Sequence, residues 1–174
     1  KLNNKKIKIG ILGGSFDPPH KGHLAISKEA KKRFDLKKIV WAITKKNPFK
    51  GDSVNSLSKR IKDCKKIIGL NSFIKVKFYE NIIKSNKTID LINYLKKNKN
   101  IEIYFLMGAD NLINFHKWHK SKLISQKCNI LVFDRHGYKK NSLKSKTFKK
   151  LNKNILTFIE FKKVNISSSQ LRKI

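Results

Sequence analysis

Residues 13–23 combine residue types that could bind the phosphates of a nucleotide. They read Gly-Gly-Ser-Phe-Asp-Pro-Pro-His-Lys-Gly-His and follow a short apolar run that is typical of a buried strand. Gly13 and Gly14 have no Cβ, so their backbone N–H groups could approach a phosphate closely. A helix that begins after the two prolines would point its N–H groups and its positive dipole end at the same place.

The two histidines of this segment, His20 and His23, could donate hydrogen bonds to those phosphates. They are three positions apart, so they would share one face of a helix that begins here. Gly22 between them would leave room for a ligand. Two imidazoles that face a triphosphate can stabilise charge developing in the transition state. The alternative is a tight turn with two incidental histidines, but glycines, turn prolines and paired histidines coincide here after a strand.

A second phosphate-binding segment is predicted near the other end of the chain. Residues 166–172 read Ile-Ser-Ser-Ser-Gln-Leu-Arg. Ser167 or Ser168 could cap a short helix whose N–H groups again face phosphate. Arg172 could offer a bidentate fork to a leaving pyrophosphate.

The elements that would position these residues alternate between strands and helices. Strands are predicted at 7–12, 38–43, 73–78, 101–107, 129–133 and 156–161, and helices at about 22–34, 58–68, 88–97, 111–115, 121–126 and 167–173. This alternation predicts an α/β protein, a Rossmann-like doubly wound parallel sheet with helices on both faces, in a single domain. Such sheets bind ligands beyond the carboxyl ends of their strands, where the strand order reverses.

The composition agrees with one compact domain of 174 residues, of which 39% are hydrophobic. The net charge of +31 comes almost wholly from lysine. It would suit a nucleic-acid binder, or it could reflect codon drift in a genome rich in A and T. We favour drift, because a nucleic-acid binder is expected to use arginine forks, and we expect no specific nucleic-acid partner.

Cysteines and apolar runs favour a cytoplasmic location. Cys64 and Cys128 match no metal-binding or redox spacing, as expected in a reducing compartment. No apolar run approaches the length of a membrane span, and no secretory segment follows the basic start of the sequence.

The two phosphate-binding segments together resemble the signatures of the nucleotidyltransferase superfamily, G-x-F-D-P-x-H-x-G-H after a strand and I-S-S-T/S-x-I/L-R near the end. Within it, the sequence is similar over nearly its whole length to bacterial nicotinate-nucleotide adenylyltransferases. The resemblance implies that residues 1–174 form a nucleotidyltransferase domain for NAD biosynthesis. Its substrates would be ATP and nicotinate mononucleotide, and its products nicotinate adenine dinucleotide and pyrophosphate.

The resemblance also implies how the reaction proceeds. No protein nucleophile is required, and catalysis comes from positioning and charge stabilisation. His23 is assigned to the transferring α-phosphoryl group, His20 to the bridging phosphates and Arg172 to the β- and γ-phosphates. Mg²⁺ is expected as the cofactor, held mainly by the ATP phosphates, because no carboxylate cluster offers a cage.

ATP-binding residues are expected in three segments. Residues 107–112 resemble the family's G-x-D-S/N-L segment, in which the acidic residue binds the ribose; that role passes to Asp110, which could also cap a helix. Asp17 is expected to hold its loop rather than to bind metal. The expected ATP-binding set is Gly13, Gly14, Ser15, Phe16, Asp17, Gly108, Asp110, Ile166, Ser167 and Ser168.

Acceptor-binding residues are expected at Lys50, Thr88, Trp118 and Arg135. Trp118 ends a segment similar to the family's F-x-x-W, whose tryptophan packs on the pyridine ring; an ordinary core position is the alternative. Thr88 aligns with a threonine near the nicotinate carboxylate, although Asn-Lys replaces the preceding Tyr-Thr of the family. Lys50 lies in a shortened P-P-H-K loop that lacks the histidine. Arg135 lies in a segment similar to R-P-G-Y, with histidine in place of proline.

Three alternatives remain open at this point. The acceptor could differ, as in phosphopantetheine adenylyltransferases. The chain could be a basic RNA-associated protein on a Rossmann-like fold, because fold alone does not settle function. It could also be an inactive nucleotide binder, which the two intact motifs argue against.

Overall fold

A parallel sheet forms the centre of the computed structural model, which describes residues 5–46, 53–134 and 156–160. Its strands are β1 (Ile7–Gly14), β2 (Lys38–Ile43), β3 (Ile74–Lys77), β4 (Ile101–Gly108), β5 (Asn129–Asp134) and β6 (Leu156–Glu160). The order across the sheet is β3-β2-β1-β4-β5-β6, and every neighbouring pair is parallel. The order reverses between β1 and β4, which makes their carboxyl ends the switch point of the sheet.

Helices connect the strands on both faces of the sheet. In the described residues they are α1 (Lys21–Phe34), α2 (Leu57–Ile68), α3 (Glu80–Ile83), α4 (Thr88–Leu95), α5 (Ala109–Asn114) and α6 (Ser121–Lys127), together with a 3₁₀ turn at Phe115–Lys117. Among the residues that the structure describes, no helix is long and apolar enough to span a membrane.

Two hydrophobic cores lie on opposite faces of the sheet. Successive side chains of a strand point to opposite faces, so Ile11 enters one core and Leu12 the other. Leu12 packs in the core beneath α1 and α2, whereas Ile11 packs beneath α4, α5 and α6. Burial of one such aliphatic side chain contributes roughly 1.5–3 kcal/mol to stability. The expected α/β class, with a doubly wound parallel sheet, is therefore confirmed.

The element boundaries differ from the expectation at functionally relevant places. Strand β1 was expected to end at Leu12, but it continues through Gly13 and Gly14, which pair in parallel register with Ala42 and Ile43 of β2. The two glycines are thus the end of a strand rather than a loop. The sequence also did not reveal α3, because its four residues are too few for a periodic pattern. The helix expected at 167–173 lies outside the described residues.

Candidate active site

The carboxyl ends of β1 and β4 carry the residues that the sequence singles out. The phosphate loop (residues 15–20) leaves β1 and enters α1, while Gly108 is buried and joins β4 directly to α5. Asp110 is the second residue of α5. Because β1 and β4 are neighbouring strands, the amino-terminal ends of α1 and α5 lie at the same edge of the sheet, at the switch point. An anion bound there would meet backbone N–H groups.

His20 and His23 cap α1 by reciprocal hydrogen bonds. His20 is the extended residue before the helix, and its Nδ1 accepts the Gly22 N–H at 3.0 Å. The Nδ1 atom of His23 accepts the His20 N–H at 3.1 Å. The ring centroids lie 4.0 Å apart. Because each Nδ1 accepts a hydrogen bond, the neutral form of each imidazole carries its proton on Nε2, where it can donate.

This arrangement corrects one detail of the sequence prediction. His20 does not share a helical face with His23, because the helix begins at Lys21 and His20 is its cap. The two rings meet through a capping box in which imidazoles take the places usually held by Ser or Thr and Glu or Gln.

Aromatic side chains of the core pack against the His23 ring. Phe16 lies 4.6 Å from it between ring centroids and stacks on Trp41 at 5.1 Å. Phe16 is only 2% exposed and has a φ of 50°, so its side chain belongs to the core and any contact with ATP would come from its backbone. The Trp41 Nε1–H donates to Ser27 Oγ at 2.8 Å, and that hydroxyl donates to the His23 carbonyl at 2.8 Å.

Asp17 links the phosphate loop to residues 54–55, which lie just before α2. Its carboxylate is fully buried and accepts hydrogen bonds from the Val54 N–H at 2.6 Å, the Asn55 N–H at 3.1 Å and Asn55 Nδ2 at 2.8 Å. These three donors explain why a carboxylate without exposure remains stable at this position. The Asp17 side chain is therefore directed at residues 54–55.

Arg60 is a buried residue of the site that the sequence analysis missed. Its guanidinium donates to the carbonyls of Ser15 and Thr44 at 2.8 Å each, Lys45 at 2.9 Å and Asn55 at 3.1 Å. The helical spacing could have revealed it, because Arg60 is four residues before Cys64 on the apolar stripe of α2. An arginine on such a stripe indicates a buried cation with fixed partners.

A cavity of about 480 Å³ opens beside the β2 exit (residues 44–46). Glu80 of α3 lines one side of the cavity. Its carboxylate accepts hydrogen bonds from Thr44 Oγ1 at 2.5 Å and from the Lys45 N–H at 3.3 Å. The lining residues are Lys45, Lys46, Ser53, Asn55, Ser56, Leu57, Arg60, Glu80 and Asn86. The mixture of cationic and polar groups suits an anionic ligand.

The expected acceptor residues are described only in part. Thr88 is the half-buried first residue of α4. Trp118 is half-buried, and its ring packs on Phe115 at 5.0 Å and edge-on to Phe105 at 5.8 Å. Trp118 thus packs against the core and is partly exposed. The expected site residues Lys50, Arg135, Ile166, Ser167, Ser168 and Arg172 lie outside the described residues.

Both cysteines are buried free thiols. Burial raises the pKa of Cys64 to about 12, with a further increase from the neighbouring Asp63 carboxylate. Burial also raises the pKa of Cys128 to about 12. Since the thiolate is the nucleophilic form, neither residue is an activated nucleophile at neutral pH.

Comparison with known proteins relates this chain to a family and to characterised folds. The model of the cytidylyltransferase-like family matches residues 11–174. A probable nicotinate-nucleotide adenylyltransferase of Pelagibacter ubique (strain HTCC1062) is 72% identical over 173 residues, which are 99% of this chain and 96% of that protein. A protein of the same description from Ruegeria sp. (strain TM1040) is 37% identical over 130 residues, covering 74% of this chain and 68% of that protein.

Solved structures share the fold. The Plasmodium falciparum nicotinic acid mononucleotide adenylyltransferase complexed with NaAD superposes with a TM-score of 0.79 at 24% identity, covering 95% of this chain and 82% of that one. A putative nicotinate-nucleotide adenylyltransferase from Vibrio parahaemolyticus gives a TM-score of 0.64 at 18% identity, covering 95% and 84%. At these identities the likeness concerns the fold.

Proposed function

Because the chain belongs to the cytidylyltransferase-like family and, within it, to the nicotinate-nucleotide adenylyltransferases, we propose that it transfers the adenylyl group of ATP to nicotinate mononucleotide. The products are nicotinate adenine dinucleotide and pyrophosphate, so the enzyme is a transferase of NAD biosynthesis. The observation that carries the proposal is the 72% identity with the Pelagibacter protein over 99% of this chain. The histidine pair at the switch point supplies chemistry that suits the reaction.

The reaction is an in-line displacement at phosphorus. A phosphate oxygen of nicotinate mononucleotide forms a bond to the α-phosphorus of ATP, and the bond from that phosphorus to the bridging oxygen of the β-phosphate breaks. The electron pair of the broken bond leaves with pyrophosphate. Catalysis then requires alignment of two anionic substrates and stabilisation of charge on the transferring group.

The histidine cap can provide that stabilisation. In the proposal, the Nε2–H of His23 donates to the α-phosphoryl oxygens and that of His20 to the bridging phosphates. The Nδ1 hydrogen bonds with the backbone hold both donors in place before ATP arrives. Arg172 completes the site by binding the β- and γ-phosphates.

Nucleotide contacts come from the ends of β1 and β4. We assign the backbone of Gly13, Gly14 and Ser15 to the phosphates, and Asp110, two residues after Gly108, to the ATP ribose. The backbone N–H groups around Ile166, Ser167 and Ser168 are assigned to the same triphosphate.

Acceptor contacts are assigned to Lys50, Thr88, Trp118 and Arg135. Trp118 packs on the pyridine ring of the acceptor, and Thr88 binds near its nicotinate carboxylate. We assign Lys50 to the phosphates of the mononucleotide or of ATP, and Arg135 to lining the site or supporting its loop. The cationic cavity beside the β2 exit supports an approach of the mononucleotide phosphate from that direction.

Mg²⁺ fits this site as a companion of ATP rather than as a protein-bound ion. Within residues 5–46, 53–134 and 156–160, no three His, Cys, Asp or Glu side chains are grouped to hold a metal. The Asp17 carboxylate already accepts three hydrogen bonds. The ATP phosphates and water are therefore the ligands that we propose, and the ion reduces the negative charge that repels the acceptor phosphate. A cytoplasmic location remains a prediction, in keeping with the free thiols.

A pyrophosphate-release assay tests the function. The protein is incubated with ATP, Mg²⁺ and either nicotinate mononucleotide, phosphopantetheine or no acceptor. We expect release with the mononucleotide only, together with formation of the dinucleotide. Release with phosphopantetheine alone would reassign the acceptor, and no release with any acceptor would favour an inactive nucleotide binder or an RNA-associated protein.

A further inference from the structure

We propose that Arg60 is a positioning residue for adenylyl transfer, which holds the phosphate loop and the β2 exit in one fixed relation. The inference rests on the proposed function, because it explains how the two substrates of that reaction are aligned. Arg60 is among the residues that line the cavity, but because it is only 2% exposed it contacts neither substrate in this proposal. It acts through the backbone carbonyls that it binds.

The guanidinium joins three segments that are distant in sequence. Nη1 binds the carbonyls of Ser15 and Thr44, which directly follow β1 and β2. Nη2 binds the Lys45 carbonyl, and Nε binds the Asn55 carbonyl. Only a planar fork with several N–H groups can serve acceptors in these different directions, whereas a lysine ammonium is a compact point charge.

Burial makes this arrangement rigid. Arg60 is only 2% exposed, so its charge must be stabilised by the protein. Within the described part of the chain, its hydrogen bonds all go to carbonyl oxygens. A movement of any one segment would weaken a charge-assisted hydrogen bond in a poorly hydrated place, which is costly.

Asn55 extends the connection to a second buried charge. Its carbonyl accepts from Arg60, while its N–H and its side-chain Nδ2 donate to Asp17. We call Asp17, Asn55 and Arg60 the loop brace. Within the brace, Arg60 binds the phosphate loop at the Ser15 carbonyl, and Asn55 binds it at the Asp17 carboxylate.

The loop brace thereby links the residues proposed for ATP to those proposed for the acceptor phosphate. The phosphate loop leads into the histidine cap, and the β2 exit provides Lys45 and Lys46 to the cavity proposed for the acceptor phosphate. An in-line displacement requires the acceptor phosphate to be aligned with the α-phosphoryl group of ATP. A misplacement of about 1 Å can cost on the order of 100-fold in rate.

Arg60→Lys tests the proposal, with Arg33→Lys as the matched control. The lysine keeps the charge and the alkyl stem but cannot serve all four carbonyls. Arg33 lies on the surface of α1, where its side chain is 49% exposed and pairs with Glu29. We expect kcat of Arg60→Lys to fall about 10- to 100-fold and the KM of both substrates to rise, with Arg33→Lys close to wild type. Circular dichroism and thermal unfolding establish that each variant is folded at the assay temperature.

A merely structural role would give a different result. Arg60→Lys would then have a lower Tm while its kcat and both KM values matched those of Arg33→Lys, and this outcome would overturn the proposal. Asn55→Ala gives a second check, because residues of one brace act as a unit. The double variant should lose little more activity than Arg60→Lys alone; multiplied losses would contradict the brace.

Amide hydrogen exchange separates this proposal from the proposed function. If the wild type releases no pyrophosphate with nicotinate mononucleotide, the function fails, but the brace is still judged by exchange. We expect faster exchange at residues 15–17 and 44–46 in Arg60→Lys than in Arg33→Lys. Equal exchange in the two variants would show that Arg60 does not hold these loops.

Discussion

Each catalytic imidazole in our proposal uses its two ring nitrogens for different tasks. The Nδ1 atoms of His20 and His23 accept backbone N–H groups at the start of α1, and the Nε2 atoms carry protons for donation to phosphate. A side chain fixed by its second nitrogen need not be reorganised when charge develops on the substrate.

Replacement of His23 should therefore affect turnover more than ATP affinity. His23→Ala removes the donor proposed for the α-phosphoryl group, and the loss of one such donor costs about 3–4 kcal/mol, or several hundredfold in kcat. Steady-state kinetics give kcat, and calorimetry with a non-hydrolysable ATP analogue gives Kd. Turnover close to that of the wild type would remove His23 from the mechanism.

Replacement of Trp118 should affect the acceptor alone. Stacking of an aromatic pair is worth on the order of 1 kcal/mol beyond burial, so Trp118→Ala should weaken binding of nicotinate mononucleotide by several-fold or more. Trp118→Phe is the control, because it keeps an aromatic face against Phe115 and Phe105. Equal losses of affinity for ATP and the mononucleotide would instead identify Trp118 as a core residue.

At the scale of elements, strand β2 and helix α1 are joined by one buried hydroxyl. Ser27 Oγ accepts the Trp41 Nε1–H and donates to the His23 carbonyl. Trp41→Phe keeps most of the apolar area but leaves Ser27 without this donor, which should cost about 1–3 kcal/mol in the free energy of unfolding. Urea unfolding gives this value.

The Ser27→Ala/Trp41→Phe double variant sharpens that test. Removal of both partners leaves neither end of the Trp41–Ser27 hydrogen bond unsatisfied, so the double variant should be less destabilised than the sum of the two single variants. Strict additivity would show that the hydrogen bond contributes nothing.

The sequence predicts elements better than it predicts contacts between them. The predicted strand at 38–43 has the bounds of β2, because its apolar run is bordered by polar residues. Local patterns also place the histidines at the start of α1. They cannot reveal that Asp17 binds Asn55, 38 positions away, or that Arg60 reaches Ser15, 45 positions away. Such pairs form only when parallel strands bring their following loops to one edge of the sheet.

For the whole molecule, the net charge of +31 predicts weak attraction to any polyanion. We expect binding to RNA or DNA at low salt, without sequence preference, because lysines are spread over nearly every segment. Counterion release makes such affinity fall steeply with salt. Titration of a labelled oligonucleotide at rising salt, with adenylyl transfer assayed in parallel, tests this. Tight, sequence-selective binding at physiological salt would favour an RNA-associated role.

The buried thiols predict a loss of stability at alkaline pH. A thiol in the unfolded chain has an ordinary pKa of 9.0, whereas burial raises the pKa of Cys64 and of Cys128 to about 12. Between about pH 9 and pH 12, the thiols therefore ionise in the unfolded state but stay protonated in the folded state. Their contribution to the free energy of unfolding is lost as the pH rises through this range. At pH 10, we expect a cost of about 1 kcal/mol for Cys128.

The measurement is urea unfolding at pH 8 and at pH 10 for the wild type and for Cys128→Ala. Lysine titration changes stability in both proteins, so the difference between them isolates the thiol. The alanine variant should lose less stability between the two pH values than the wild type. An identical pH dependence would show that Cys128 is not the cause.

The cluster of Phe16, Trp41 and His23 also offers a way to follow substrate binding by intrinsic fluorescence. The chain has two tryptophans: Trp41, whose indole contacts the His23 ring, and Trp118, which is half-buried at the proposed acceptor side. Indole fluorescence depends on the polarity and charge around the ring. A chain that retains only Trp41 would respond to events at the phosphates, and one that retains only Trp118 to arrival of the pyridine. The order in which the two substrates bind could thus be followed in real time without an attached dye.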